Sequence, residues 1–262
     1  MYKYFDTHAH LDMSQFDEDR DILIKKLQDE NIGVITIGVD KKSSLEAIKL
    51  SEKYDNVFAS VGFHPIDAKE EFKWEYFSEI IQNPKIVAIG ECGLEFFRIE
   101  KDSEEEKKRQ IKLFESQIDF AVKYDKPLMI HCRNAHKDVL AILKVKKQKY
   151  GDKLRGIIHF FSGNIQEAQE YIDLGFSFSF GGVITFTSDY DEVVKFIPID
   201  RILSETDAPF VAPEPYRGKR NEPIYIKEVV KKIAELKEED LAKTKDILVQ
   251  NAVNMFALGV KL

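Results

Sequence analysis

Five of the six histidines in this 262-residue chain stand at or near the ends of short apolar runs, and three carboxylates stand in equivalent places. His8 and His10 form a His-x-His pair. His64 follows Val57–Phe63. His131 closes Leu128-Met129-Ile130, and His159 closes Ile157-Ile158. Glu91 follows the apolar run from Ile86, and Glu205 and Asp207 follow Arg201–Ser204. A spacing of two in an extended segment puts both imidazoles of the pair on one face. Taken singly, each residue has a structural reading: a satisfied half-buried pair for His8 and His10, a cap or surface group for Glu91, core histidines for His131 and His159, and a turn aspartate before Pro209 for Asp207. Taken together they make a donor set of imidazoles and carboxylates. Zinc, manganese or iron would accept such a set, whereas magnesium prefers oxygen. A buried carboxylate without a partner is costly, and one between two cations is stabilised by both, which suits Glu91 to a bridging role. Asp207 could bind a metal and take a proton from water. Glu205 could join it through hydrogen bonds to water or substrate. His136 begins a helical segment and reads as an ordinary surface residue.

The elements that must position these groups alternate regularly. Strand-like runs are Lys3–His8, Val34–Val39, Val57–Phe63, Ile86–Glu91, Pro127–Cys132, Gly156–Phe161, Phe176–Gly181 and Arg201–Thr206. Amphipathic stretches lie between them, among them Ile22–Glu30, Ser43–Tyr54, Glu104–Tyr124, Ala135–Lys149, Ile165–Leu174 and Asp189–Phe196, and two more follow at Ile224–Leu236 and Glu239–Phe256. Strand-then-helix alternation reads as a parallel sheet with crossover helices. Eight repeats in a chain close to the ~250 residues of one barrel predict an α/β fold, a single (β/α)8 TIM-type barrel spanning residues 1–262. In such a barrel all strand C-termini point to one rim, where the site forms. The segment Ala208–Pro223 holds four prolines and reads as a long functional loop without helix. The charge run Glu100–Arg109 reads as the solvated first turns of a helix.

Composition narrows the setting. Hydrophobic residues make up 44% and charged residues 32%, which is enough apolar material for one large core. No apolar run approaches the ~18 residues of a membrane span, and the N-terminus runs straight into a strand pattern rather than a signal peptide. Two cysteines, Cys92 and Cys132, are too few for a disulfide framework, so the expected setting is the reducing cytoplasm. Each directly follows a candidate ligand, so strand alternation turns both away from the site as small buried residues. The net charge of −7 argues against a broad basic surface.

These motifs, spread along essentially the whole chain, resemble the TatD family of metal-dependent deoxyribonucleases, within the amidohydrolase-like barrels. The similarity runs through Asp6-Thr7-His8-Ala9-His10-Leu11, Gly62-Phe63-His64-Pro65, Ile89-Gly90-Glu91-Cys92-Gly93-Leu94, Pro127 to Ala135, His159-Phe160-Phe161-Ser162-Gly163, Glu205-Thr206-Asp207-Ala208-Pro209 and Arg217 to Pro223. The resemblance implies two divalent metal ions (Zn, Mn or Mg). One would be held by His8, His10, Glu91 and Asp207, and the other by Glu91, His131 and His159. It also implies catalytic parts for His64 and Glu205. Members of the family act as DNases, several as 3′→5′ exonucleases on single strands. Two positions depart from the family pattern: Glu95 stands where an aspartate is usual, and Phe160 stands where a cysteine is common. Neither is expected to touch a ligand.

The expected activity is therefore hydrolysis of DNA phosphodiesters by a metal-activated water, with DNA strand ends or single strands as partner and no obligate protein partner. Arg133, Arg217, Lys219 and Arg220 are the expected phosphate contacts. Phe96, Phe97, Phe160 and Phe161 could stack on bases. A metal-dependent hydrolase of another ester, lactone or amide would use the same ligands. A lysine often bridges the metals in such barrels, and Glu91 at the fourth strand favours the nuclease. A non-catalytic binding protein would be expected to lack ligands, and none of the six is missing.

Overall fold

The apolar runs resolve as eight parallel strands in a computed structural model that describes residues 2–68, 71–99 and 103–259. They are β1 (Tyr4–Ala9), β2 (Ile32–Ile37), β3 (Val57–Val61), β4 (Ile86–Glu95), β5 (Leu128–Arg133), β6 (Gly156–Ile158), β7 (Ser177–Phe180) and β8 (Ile202–Ser204). The helices are α1 (Arg20–Asp29), α2 (Lys41–Lys53), α3 (Glu104–Lys123), α4 (His136–Tyr150), α5 (Ile165–Asp173), α6 (Asp191–Phe196), α7 (Ile226–Lys237) and α8 (Leu241–Phe256). Each strand pairs with its neighbour in sequence. The ring closes through a bridge between Ala9 and Ala208. There the His10 N–H donates to the Ala208 carbonyl (2.7 Å) and the Asp207 N–H to the His8 carbonyl (2.9 Å). The expected (β/α)8 barrel is formed. Among the described residues no helix is long and apolar enough to cross a membrane.

Three details depart from the sequence pattern. No α-helix joins β3 to β4 among the described residues. An aromatic cluster covers the barrel there instead, with Phe72 and Trp74 packing edge-on against Phe120 of α3 at 5.3 and 5.5 Å. β6 stops at Ile158, because Phe160 takes a positive φ of 44° and turns the chain. β4 runs on to Glu95 rather than ending at Glu91, with an irregular register against β5 between Ile89 and Cys92. Gly90 enters this irregularity at φ 149°, and a side chain there would collide with the Met129 carbonyl, so only glycine fits. The Ala208–Pro223 loop contains no α-helix. The charge run begins outside the described residues, at 100–102. Its described part opens α3 with Glu104, Glu105 and Glu106, where acidic side chains complement the helix dipole.

The core places an apolar floor beneath a polar mouth. Met129, Ile157 and Leu203 stand two residues before His131, His159 and Glu205, so strand alternation puts each pair on one face. The three share a buried cluster with Ile35, Val87 and α8 residues including Val249 and Phe256. The seam between β1 and β8 is tied by Asp6, which is fully buried. Its Oδ1 accepts the N–H groups of His8 (3.1 Å) and Thr206 (2.9 Å), and its Oδ2 accepts the Thr206 hydroxyl (2.5 Å). Replacing Asp6 by alanine strands two buried backbone donors, each costing about 1–3 kcal/mol. Asp6→Ala is therefore expected to lower stability by at least ~2 kcal/mol in urea denaturation, and Asp6→Asn, which keeps an acceptor, by less. A loss below 0.5 kcal/mol (about the noise of a neutral surface change) for Asp6→Ala would contradict this view of the seam.

Candidate metal centre

Because the closure seam passes through His8, His10 and Asp207, the act of closing the barrel sets these three side chains together. His8 Nε2 and His10 Nε2 lie 3.3 Å apart. Asp207 Oδ1 is 3.7 Å from the first and 3.4 Å from the second, and Glu91 Oε2 is 3.5 and 3.8 Å from them. Asp207 takes a left-handed φ of 56°, a conformation that aspartate tolerates better than most residues. On the other side of Glu91, Oε1 lies 2.8 Å from His131 Nδ1, 2.9 Å from His159 Nε2 and 3.6 Å from His64 Nε2. His131 Nδ1 and His159 Nε2 are 3.4 Å apart. All six expected ligands converge, with the two oxygens of Glu91 turned to different groups of donors.

The donor spacings fit a metal. Ligands at about 2.0–2.1 Å from a tetrahedral zinc lie about 3.3 Å from one another. His8 and His10 lie 3.3 Å from each other and 3.4 to 3.8 Å from the Glu91 and Asp207 oxygens. Two acceptor nitrogens at 3.3 Å gain nothing from each other unless one carries a proton, whereas both gain from a cation between them. His8, His10 and Asp207 thus form one compact group of donors, and His64, Glu91 and His131 form another. The electrostatics point the same way. Burial would raise the Glu91 carboxyl, but the surrounding imidazoles, His159 and His64 foremost, hold it well below the ordinary carboxylate range. Burial would lower His159, but Glu91 and Glu205 carry it well above the usual imidazole range. The pocket favours positive charge beside Glu91.

Two buried carboxylates stand behind the histidines. Glu205 does not line the pocket. It is fully buried, with Oε1 3.5 Å from His159 Nδ1 and accepting the Phe160 N–H at 2.9 Å, and with Oε2 accepting the Ser179 hydroxyl. It stands behind His159, away from the pocket. Glu95 overturns the expectation that it touches no ligand: its Oε2 is 3.3 Å from His131 Nε2. Burial would raise its carboxyl, but His131 and then Arg98 bring it down to about 2. Glu95 was expected to stand clear of the ligands because it lies beyond the expected end of β4. His64 holds its Nδ1 2.6 Å from the Asp67 carboxylate.

The surrounding pocket has a volume of about 680 Å³, within the range of small-molecule sites. Arg133 lines it, with its guanidinium 4.2 Å from the Phe97 ring centre. Arg98, Tyr190 and Phe210 also line it and had no sequence signal beyond their place after strand ends. The expected basic loop is arranged differently. None of Arg217, Lys219 and Arg220 lines the pocket. Arg220 is clasped by Asp19 at 2.7 and 2.8 Å and by Glu222 at 3.0 Å, tying the loop to the start of α1. Arg217 lies over Phe186 at 3.8 Å and donates to the Ala212 carbonyl, and Lys219 is exposed. Of the expected aromatics, Phe160 lines the pocket and Phe97 is exposed, but Phe161 is core and Phe96 packs on the core. His136 is no surface residue. It is buried with Nδ1 3.2 Å from Cys132 Sγ and 3.1 Å from the Tyr171 hydroxyl. Both cysteines are buried as expected, but Cys132 is not turned wholly from the site, for it lines the pocket; burial pushes its thiol up to about 12.

Comparison with known proteins agrees with this centre. Residues 5–257 match the family of TatD-related DNases. An uncharacterized metal-dependent hydrolase of Bacillus subtilis, YabD, is 39% identical over 264 residues, covering 97% of this chain and 99% of its own. The 3′-5′ ssDNA/RNA exonuclease TatD of Citrobacter koseri is 32% identical over 259 residues, covering 92% and 95%. The crystal structure of the TatD homologue YjjV from Escherichia coli superposes with a TM-score of 0.88 at 26% identity, covering 97% and 98%. If the donor set binds metal, Zn²⁺ or Mn²⁺ added to metal-free protein will raise its melting temperature, by the equivalent of about 2.7 kcal/mol per site at 100 times the dissociation constant. Glu91→Gln should abolish most of that rise in a thermal scan. An equal rise in both proteins would contradict the assignment of Glu91.

Proposed function

Since the chain belongs to the family of TatD-related DNases and is a metal-dependent hydrolase, we propose that it cleaves phosphodiester bonds at the ends of single DNA strands, in the 3′→5′ direction, with two divalent ions that the Glu91-centred donors would hold. The observation that carries this reading is the juxtaposition of Arg98 and Arg133 with the Glu91-centred donors in one pocket. The exonuclease name of the Citrobacter relative supports it. Ions held by His8, His10, Glu91 and Asp207, and by Glu91, His131 and His159, would acidify a water and offset charge on the attacked phosphate.

The chain's own residues do the rest. Asp207 lines the pocket, where its carboxylate orients the attacking water and takes its proton. The water oxygen adds to phosphorus as the bond to the departing sugar oxygen breaks. His64, backed by Asp67 on Nδ1, supplies the proton that this oxygen needs. Arg98 and Arg133 hold phosphate oxygens, and Phe160 and Phe210 offer faces to a terminal base. A net charge of −7 suits such a local grip better than a duplex-coating surface.

End-labelled single- and double-stranded DNA, assayed beside small esters and amides, tests the proposal. Single strands should be shortened from the 3′ end. Glu91→Gln and Asp207→Asn should each abolish turnover with unchanged circular dichroism, and Arg133→Ala should raise KM. Two phosphate contacts predict a log–log salt slope of about −1.4. Turnover of esters or amides with none of DNA, or near-normal activity in both carboxylate variants, would overturn the reading.

A further inference from the structure

We infer that Glu95 is the positioning residue of the centre: one buried carboxylate that decides which nitrogen of His131 faces Glu91 while holding Arg98 at the pocket wall. Glu95 ends β4 and is fully buried. Gln110 of α3 pins that strand end on both sides, accepting the Glu95 N–H at 2.9 Å and donating to its carbonyl at 3.2 Å. The carboxylate is fixed next. Oε1 accepts the N–H groups of Phe97 (2.8 Å) and Arg98 (3.2 Å). That leaves Oε2 for two side chains, Arg98 Nε at 3.1 Å and His131 Nε2 at 3.3 Å.

An ionised carboxylate only accepts hydrogen bonds, so His131 must present a proton on Nε2. Nδ1 lies 2.8 Å from Glu91 Oε1, which is also an acceptor, so a neutral imidazole keeps its lone pair there only when a cation stands between the two. A carboxylate behind a metal-binding imidazole also makes it a stronger donor. Glu205 stands behind His159 at 3.5 Å from Nδ1, and its hydrogen bonds go to Ser179 and the Phe160 backbone. Glu95 differs because its second partner, Arg98, lines the pocket. One carboxylate thus connects a ligand with a cation placed to meet substrate. This inference rests on the reading of Glu91, His131 and His159 as ligands and of Arg98 as a phosphate contact.

Three readouts on the full chain test it: nitrogen-15 NMR of histidine-labelled protein, Zn²⁺ affinity by competition with a chromophoric chelator, and KM and kcat on a single-stranded oligonucleotide. In the Zn²⁺-loaded wild type, His131 should carry its proton on Nε2. Glu95→Gln should lose that signature, weaken Zn²⁺ binding about 10–100-fold and raise KM. Arg98→Ala should raise KM with the His131 signature and Zn²⁺ affinity unchanged. A Glu95→Gln protein with wild-type signature and affinity would overturn the inference, as would an unchanged KM in Arg98→Ala. Should Glu95→Gln not fold, the spectrum of the Zn²⁺-loaded wild type decides, and a His131 with a bare Nε2 overturns the inference. A wild type that binds no Zn²⁺ and cuts no DNA would instead remove the proposed function, while an Nε2 proton on His131 that Glu95→Gln removes would still report on Glu95.

Discussion

The structure depends on one buried carboxylate surrounded by imidazoles. Glu91 lies within 4 Å of five of them: His8, His10, His64, His131 and His159. Burying a lone charge is costly, and burying it among groups that can carry or share positive charge is not. β1 and its end bring two of those imidazoles, and the ends of β3, β5 and β6 bring the other three, so the arrangement exists only if the whole ring closes. A defect at the β1–β8 seam or at Gly90 would disperse it. That is why an apolar floor of Met129, Ile157 and Leu203 and a hydrogen-bonded aspartate, Asp6, lie just below it.

Around this centre the chain separates two tasks. Glu91, Asp207, His10, His64, His131 and His159 line the cavity, whereas Glu95 and Glu205 lie behind His131 and His159. The cations follow the same division. Arg98 and Arg133 face the pocket, while Arg220 spends its guanidinium on Asp19 and Glu222 to hold the long loop in place. A protein of net charge −7 can therefore present positive charge at one mouth without a basic surface.

Much of this was legible in the sequence because strands carry a period of two and their C-terminal ends are marked by a change from apolar to polar residues. His8, His10, Glu91, His131, His159 and Asp207 were all found that way, and their convergence follows from the barrel topology. What stayed hidden depends on contacts between distant segments or on local irregularity. Arg220 looked like a free cation because its partner Asp19 is 201 residues away. Glu95 looked peripheral because an irregular β4 carries it past the expected strand end to His131. His136 looked exposed because its helix position says nothing of the Cys132 and Tyr171 beneath it.

Anomalous scattering from crystals soaked in Zn²⁺ or Mn²⁺ tests the central claim most directly. The account predicts two peaks on opposite sides of the Glu91 carboxylate, about 3.5–4 Å apart, one beside His8, His10 and Asp207 and the other beside His131 and His159. A single peak away from Glu91, or none at concentrations that saturate binding, would contradict it.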